Sequence, residues 1–133
     1  HDKVQLKCIS LKNLFNIKEK NEYKNSDVIF VEEGQFFNDL FDFVTQAADN
    51  DKKNVFVTGL DGDFKRDMFG DICRLIPHAE NVTKLKALCV KCEDGTFATF
   101  TKRITKDETV KVVGNENIYI PVCRYHYLEW DNI

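Results

Sequence analysis

Val28-Ile29-Phe30-Val31-Glu32-Glu33-Gly34-Gln35 is a short apolar run that stops at two acids, a glycine and a glutamine. A run this short, bounded so abruptly, reads as a buried parallel strand. From Phe36 to about Ala48 the apolar residues Phe37, Leu40, Phe41, Val44 and Ala48 recur at helical spacing. Asp49-Asn50-Asp51-Lys52 reads as a turn. Val55-Phe56-Val57 is a second buried strand, finishing in Gly59-Leu60-Asp61-Gly62-Asp63. Met68 to Ile76 reads as helix, stopped by Pro77. Strand, helix, strand, helix is the α/β pattern, and in such sheets ligands gather at the carboxyl ends of the strands. Upstream, Ile9, Leu11, Leu14 and Phe15 form an apolar patch compatible with either a strand or a short helix.

Beyond residue 83 the pattern changes to shorter, alternating segments, with Leu85–Cys89, Phe97–Thr101 and Val110–Val113 as candidate strands. Two pairs of metal-type side chains frame this part: Cys89-Val90-Lys91-Cys92 and Cys123-Arg124-Tyr125-His126. Each spacing spans one edge of a tetrahedral zinc site, and four protein ligands leave no open position for water, so a structural ion is expected. The chain is thus read as an α/β body over residues 1–83 and a small zinc-tied β subdomain over 84–133. Cys8 and Cys73 belong to no such pair.

The chain of 133 residues is long enough to bury a core and carries 19 basic against 22 acidic residues, a net charge of −3. No strongly basic stretch invites nucleic acid, and no apolar run approaches the length of a membrane span. Five cysteines, an odd number, suit a reduced, intracellular, cytoplasmic zinc protein better than a secreted disulfide scaffold. The chain begins at His1, so sequence upstream of it is expected to have been removed or to lie outside this numbering.

The acids after Val31 admit two readings. A carboxylate at a strand tip can face a nucleotide-bound Mg²⁺, but many such acids only cap the helix that follows. Phe64, Phe69 and Tyr119 stand in loop-like contexts, where a flat, stacking ligand such as a nucleobase would use them. His78, after a proline, reads as a capping or surface residue. Lys102-Arg103 reads as a solvated pair on a strand, with phosphate contact as the alternative.

Ordered strings along the chain carry a more specific reading. They are Glu33-Gly34-Gln35-Phe36-Phe37, Gly59 to Arg66, Phe69-Gly70, Leu75-Ile76-Pro77, Ala79-Glu80, Thr101-Lys102-Arg103, Tyr119 and Pro121-Val122-Cys123-Arg124. From Val28 to Tyr127 the chain resembles the cellular and viral (type II) thymidine kinases, a zinc-containing family with an appended lasso loop. The resemblance implies a parallel-sheet, P-loop-kinase-like (RecA-like) body, here incomplete at its N-terminus. It implies ATP-dependent phosphorylation of the thymidine 5′-hydroxyl in deoxypyrimidine salvage. Glu33 would be the general base, and Glu32 would stand at the metal-facing strand tip with Gly34 and Gln35 along the ATP phosphates. Phe36, Leu60, Phe64 and Phe69 would enclose thymine and sugar. Thr101, Val110, Lys111, Val112, Val113, Gly114 and Tyr119 would form the lasso over the base. Cys89, Cys92, Cys123 and His126 would hold zinc, Mg²⁺ would enter with ATP, dTTP would inhibit by feedback, and the assembly would be a homotetramer.

Three departures stand out. The family usually has Asp where this chain has Glu32, and the lasso glycine pair reads Gly114-Asn115. Nowhere in the 133 residues is there a G-x-x-x-x-G-K-[ST], the loop that cradles ATP phosphates. In the family that loop lies upstream, so the isolated chain is expected to have little or no kinase activity. The alternative is a degenerate paralogue that binds thymidine nucleotides without turnover.

Overall fold

The computed structural model describes residues 6–104 and 118–129. Val110, Lys111, Val112, Val113 and Gly114, expected as strand and lasso, lie outside the described residues. The chain divides into two compact units, one of the residues up to Leu60 with Gly70–His78, the other of Asp61–Phe69 with the residues from Ala79 onward. No helix among the described residues is long and apolar enough to cross a membrane.

The first unit is built on a parallel pair, β1 (Val28–Val31) and β2 (Asn54–Val57), in register from Val28 opposite Asn54 to Val31 opposite Val57. The strands are not buried on both faces as expected. Val31, Ile29, Val55 and Val57 pack into the core, whereas Phe30 is 75% and Phe56 54% exposed. These two rings stack on each other with centroids 4.9 Å apart, covering part of the apolar surface that the second face leaves to water.

Helix α1 (Asn21–Lys24) precedes the sheet, and α2 (Leu40–Asp49) joins the two strands. The helical spacing seen in the sequence is real, but it starts later and faces differently. Gly34–Phe36 forms a separate 3-10 turn, and the side chains α2 buries are Leu40, Phe43 and Ala47. Ala48 is exposed and Phe37 stands outside the helix. The reason lies at Phe37, whose extended backbone (φ −91°, ψ 118°) ends the 3-10 turn and separates it from α2. Asp39 precedes α2 without capping it; its carboxylate instead accepts from the Phe15 N–H at 3.0 Å. That bond ties the 3-10 turn Leu14–Ile17 to α2; Leu14 and Phe15 of the N-terminal apolar patch are thus helical, whereas Ile9 and Leu11 lie in neither helix nor strand.

Met68–Ile76 is not a helix throughout. Gly70 adopts φ +56°, and only Cys73–His78 turns, as 3-10 helix with Pro77 inside it. A left-handed residue ends any right-handed run, so the segment bends back onto Gln35 instead of continuing.

A polar knot closes the far end of this unit. Asp51 accepts from Lys18 Nζ at 2.7 Å and from the Tyr23 hydroxyl at 2.5 Å. Lys53 Nζ donates to the carbonyls of Tyr23 and Ser26 and sits 4.9 Å from the Tyr23 ring centre. The Lys18 hydrogen bond, then the Tyr23 one, holds the Asp51 carboxyl below its ordinary range. Burial, then the Asp51 hydrogen bond, pushes Tyr23 upward.

The second unit is antiparallel. Strand β3 (Ala87–Leu88) pairs with β4 (Phe97–Ala98), and β5 (Phe100–Arg103) pairs with β6 (Tyr119–Val122). Helix α3 (Arg124–Glu129) follows β6 directly. Cys89, Ala98 and Val122 form its small buried core, with Phe100, Ile120 and Tyr127 against them.

Two outcomes test this account. A Cβ at Gly70 would strike the Gln35 carbonyl oxygen, whereas one at Gly95, also at positive φ (+87°), would meet nothing within 4 Å. Gly95→Ala therefore carries backbone strain alone, about 1 kcal/mol, and Gly70→Ala at least about 2 kcal/mol, read by urea denaturation. Asp51→Asn should lower the thermal midpoint at neutral pH. Because the folded pKa of Asp51 is depressed, its contribution is present above the unfolded value of about 4 and is lost as pH falls through the folded one. The deficit of the variant should therefore be constant above about pH 5 and shrink below about pH 4.

Candidate functional site

The β1–β2 ladder continues past the strands through two loop bonds. Thr58 N–H donates to the Val31 carbonyl and Gly34 N–H to the Thr58 carbonyl, both at 2.9 Å. These bonds set the Glu32–Gln35 loop beside the Thr58–Leu60 loop at the carboxyl end of the sheet. Close approach is possible because Gly34 and Gly59 lack side chains. A Cβ on Gly34 would lie 2.9 Å from Val57 Cγ1, and one on Gly59 2.5 Å from Gln35 Oε1. Between the loops lies an open cleft of about 300 Å³ lined by Glu32, Glu33, Thr58, Gly59 and Leu60.

Both acids are exposed. Glu33 holds φ 54° and ψ 42°, a left-handed conformation that costs a residue with a side chain about 1–3 kcal/mol. Such strain persists only where surrounding bonds impose it. Here the peptide that follows Glu33 is held at both ends: its N–H, that of Gly34, donates to the Thr58 carbonyl, and its carbonyl, that of Glu33, accepts from the Phe36 N–H at 3.1 Å. The side chain of Gln35 is 3% exposed, and its Nε2 donates to Glu33 Oε2 at 2.6 Å while its Oε1 accepts from Leu60 N–H at 3.1 Å. Its polar ends are thus committed inside the unit. Phe36, next in sequence, is 40% exposed.

The remaining expected substrate-side residues belong to the second unit. Phe64 and Tyr119 are brought together, ring centres 6.3 Å apart. Tyr119 lies in β6 and not in a loop. Arg103 sits 5.3 Å from the Phe64 ring and 5.4 Å from that of Tyr119, and it is only 8% exposed. The solvated pair expected at Lys102-Arg103 is therefore not found: the flat guanidinium is covered by two aromatic faces. Thr101 is half-buried in β5, opposite Pro121. Phe69 is buried, its N–H on the Asp61 carbonyl at 3.0 Å. Tyr127, which the sequence reading passed over, donates its hydroxyl to the Phe64 carbonyl at 2.7 Å. The signal available was a ring one residue past a metal-type histidine.

The metal quartet assembles by a short path. Val90 N–H donates to the Pro121 carbonyl at 3.2 Å, laying the turn after β3 beside the end of β6, where Cys123 leads into α3. One helical turn separates Cys123 from His126. His126 Nδ1 lies 3.5 Å from the sulfur of Cys89 and 3.4 Å from those of Cys92 and Cys123. The sulfurs of Cys92 and Cys123 are 3.8 Å apart, and all four ligand atoms lie within 4.8 Å of one another. Zinc with bonds of about 2.3 Å to sulfur and about 2.0 Å to nitrogen has tetrahedral edges of about 3.8 Å and about 3.5 Å. These residues fit the ion.

Protonation behaviour points the same way. Burial pushes the Cys89 thiol up, but N–H groups of Cys123, Lys91 and Cys92, with the His126 side chain, more than offset it and bring it below the ordinary thiol range. Cys92 is pushed up by burial and by its neighbours Cys89 and Cys123. Packed sulfurs competing for negative charge are what a divalent cation relieves.

A family model described as thymidine kinase matches residues 1–127. The chain belongs to the thymidine kinase family. It is 45% identical over 132 residues to a thymidine kinase of Oryza sativa subsp. japonica, covering 97% of this chain and 48% of that protein. It is 43% identical over 131 residues to thymidine kinase a of Arabidopsis thaliana, covering 96% and 54%. With the thymidine kinase of Sheeppox virus (strain KS-1) it shares 39% over 127 residues, 96% of this chain and 69% of the viral protein. The chain thus spans about half the length of the plant members of the thymidine kinase family that it matches.

A metal test follows. Purified protein should contain one zinc per chain by elemental analysis. Cys92→Ser and His126→Ala should each lose most of it, whereas Cys8→Ser, outside the cluster, should retain it.

Proposed function

We propose that this chain carries the general base, the nucleoside-side residues and the zinc-tied lasso of an ATP:thymidine 5′-phosphotransferase. The observation that supports this most directly is Glu33, whose carboxylate stands on a left-handed backbone at a cleft by the strand ends, in a chain that is similar to thymidine kinases. In this reading Glu33 takes the proton of the nucleoside 5′-hydroxyl as that oxygen bonds to the γ-phosphorus of ATP. The bond from that phosphorus to its bridging oxygen breaks, and ADP leaves with the electron pair. Glu32, a hard oxygen donor exposed on the same cleft, would hold the Mg²⁺ that neutralises phosphate charge. Gly34 contributes the close approach of the two loops.

Phe36, Leu60, Phe64 and Phe69 would surround thymine and deoxyribose. Thr101, Tyr119 and residues 110–114 would close over the base, whose polar edge extended backbone can satisfy. An apolar niche for the 5-methyl group would discriminate by about 1–3 kcal/mol. The zinc, holding the ends of residues 93–122 together, lowers the ordering cost of that closure. The same reading carries the division into residues 1–83 and 84–133, a cytoplasmic homotetramer and feedback inhibition by dTTP.

The 133 residues contain no G-x-x-x-x-G-K-[ST]. The phosphate cradle is therefore expected from elsewhere in the full-length protein, and the isolated chain should turn over ATP and thymidine negligibly. In the full-length protein, Glu33→Gln should lower kcat by about 100- to 10,000-fold with thymidine affinity nearly unchanged. Steady-state kinetics with calorimetric thymidine binding reads both. Full turnover by Glu33→Gln would remove Glu33 from the chemistry, and thymidine binding without turnover in the unaltered protein would favour the non-catalytic paralogue.

A further inference from the structure

We propose that Gln35 is the positioning residue that sets the Glu33 carboxylate for proton transfer; this rests on the reading of Glu33 as the base. The side chain of Gln35 is 3% exposed, beneath an exposed acid. Its orientation is dictated by chemistry. Leu60 N–H can only donate, so the oxygen of the amide must face it, at 3.1 Å. The nitrogen is then forced toward Glu33 Oε2, at 2.6 Å. Rotating the amide would set a donor against a donor and an acceptor against a carboxylate.

One oxygen of Glu33 is thereby fixed by a buried donor, and the other, Oε1, is left to accept the hydroxyl proton. The bridge has a second effect. It links the carboxylate to Leu60, the first residue in sequence of the expected nucleoside pocket on the second strand's loop. Base and pocket wall are held in one hydrogen-bonded frame.

The surroundings of Gln35 are shaped for this. Gly59 leaves room for the amide oxygen, since a Cβ there would stand 2.5 Å from it, and Gly70, at positive φ, passes against the Gln35 carbonyl. Ile72 Cδ1 fills the space beside both Gly34 and Gly59. A glutamine is needed because its reach spans both partners; asparagine, one methylene shorter, satisfies one of them at most.

The experiment is a double-mutant cycle in the full-length protein with Gln35→Met and Glu33→Gln, reading kcat, thymidine KM and thermal midpoint. Gln35→Met keeps the length and removes both hydrogen bonds. The expected result is a loss of about 10- to 100-fold in kcat with KM changed less than about threefold. In the Glu33→Gln background the same substitution should have no further effect on kcat, because Gln35 acts only through Glu33. Should Gln35→Met not fold, Gln35→Leu, which likewise lacks both hydrogen-bonding groups, carries the same cycle and the same expectation. Equal losses in both backgrounds would mean a general structural role and overturn the proposal, as would unchanged kcat in Gln35→Met. If Glu33→Gln itself keeps full turnover, the reading of Glu33 as base fails instead; its loss of kcat with a silent Gln35 variant confines the failure to Gln35.

Discussion

Parallel pairing of β1 with β2 is the constraint on which the first unit depends, and it is carried past the strands, as far as Thr58 and Gly34, by the Val31–Thr58 and Thr58–Gly34 backbone bonds. A parallel ladder delivers the carboxyl ends of both strands to the same edge, so two loops distant in sequence emerge side by side. Glycine at 34 and 59 permits their approach, and the cleft between them collects Glu32, Glu33 and Leu60. Strain at Glu33 is tolerated because the ladder fixes the residue that follows it. The packing of Leu40, Phe43 and Ala47 of α2 supplies the stability that this local cost draws on.

The second unit solves a different problem. Its apolar core among the described residues is small, built on Cys89, Ala98 and Val122, and its strands are two to four residues long. Short antiparallel pairs are weak alone. Cross-linking through a metal would compensate, because four side chains drawn from two separated turns would close a long loop on one centre. The rings of Phe64, Tyr119, Phe100 and Tyr127 interleave with Arg66, Arg103 and Arg124, extending the cover by cation–π contacts where aliphatic side chains are scarce.

Much of this was legible in the sequence. The apolar runs at Val28–Val31 and Val55–Val57 are strands, and the Cys89/Cys92 and Cys123/His126 spacings did mark a cluster with the dimensions of a tetrahedral ion site. Such signals are local: strand propensity and two-residue ligand spacing need no knowledge of the rest of the chain. The helix buries Phe43 and Ala47 where spacing alone points to Val44 and Ala48, and it starts late because extended Phe37 separates the 3-10 turn from α2. The burial of Arg103 is not legible in its neighbours, because a guanidinium held between rings depends on partners far away in sequence.

By itself, then, the sequence determined the two strands and the helix between them in the first unit, the acids at the strand ends and the four metal-type side chains. These follow from hydrophobic periodicity and ligand spacing, which act within a few residues. Tertiary structure alone decided that Gln35 turns inward to grip Glu33, that Tyr119 lies on a strand facing Arg103, and that Gly70 bends back onto the Gln35 backbone. Each of those joins residues brought together by folding, where hydrogen-bond complementarity and close packing, which no local pattern encodes, choose the partner.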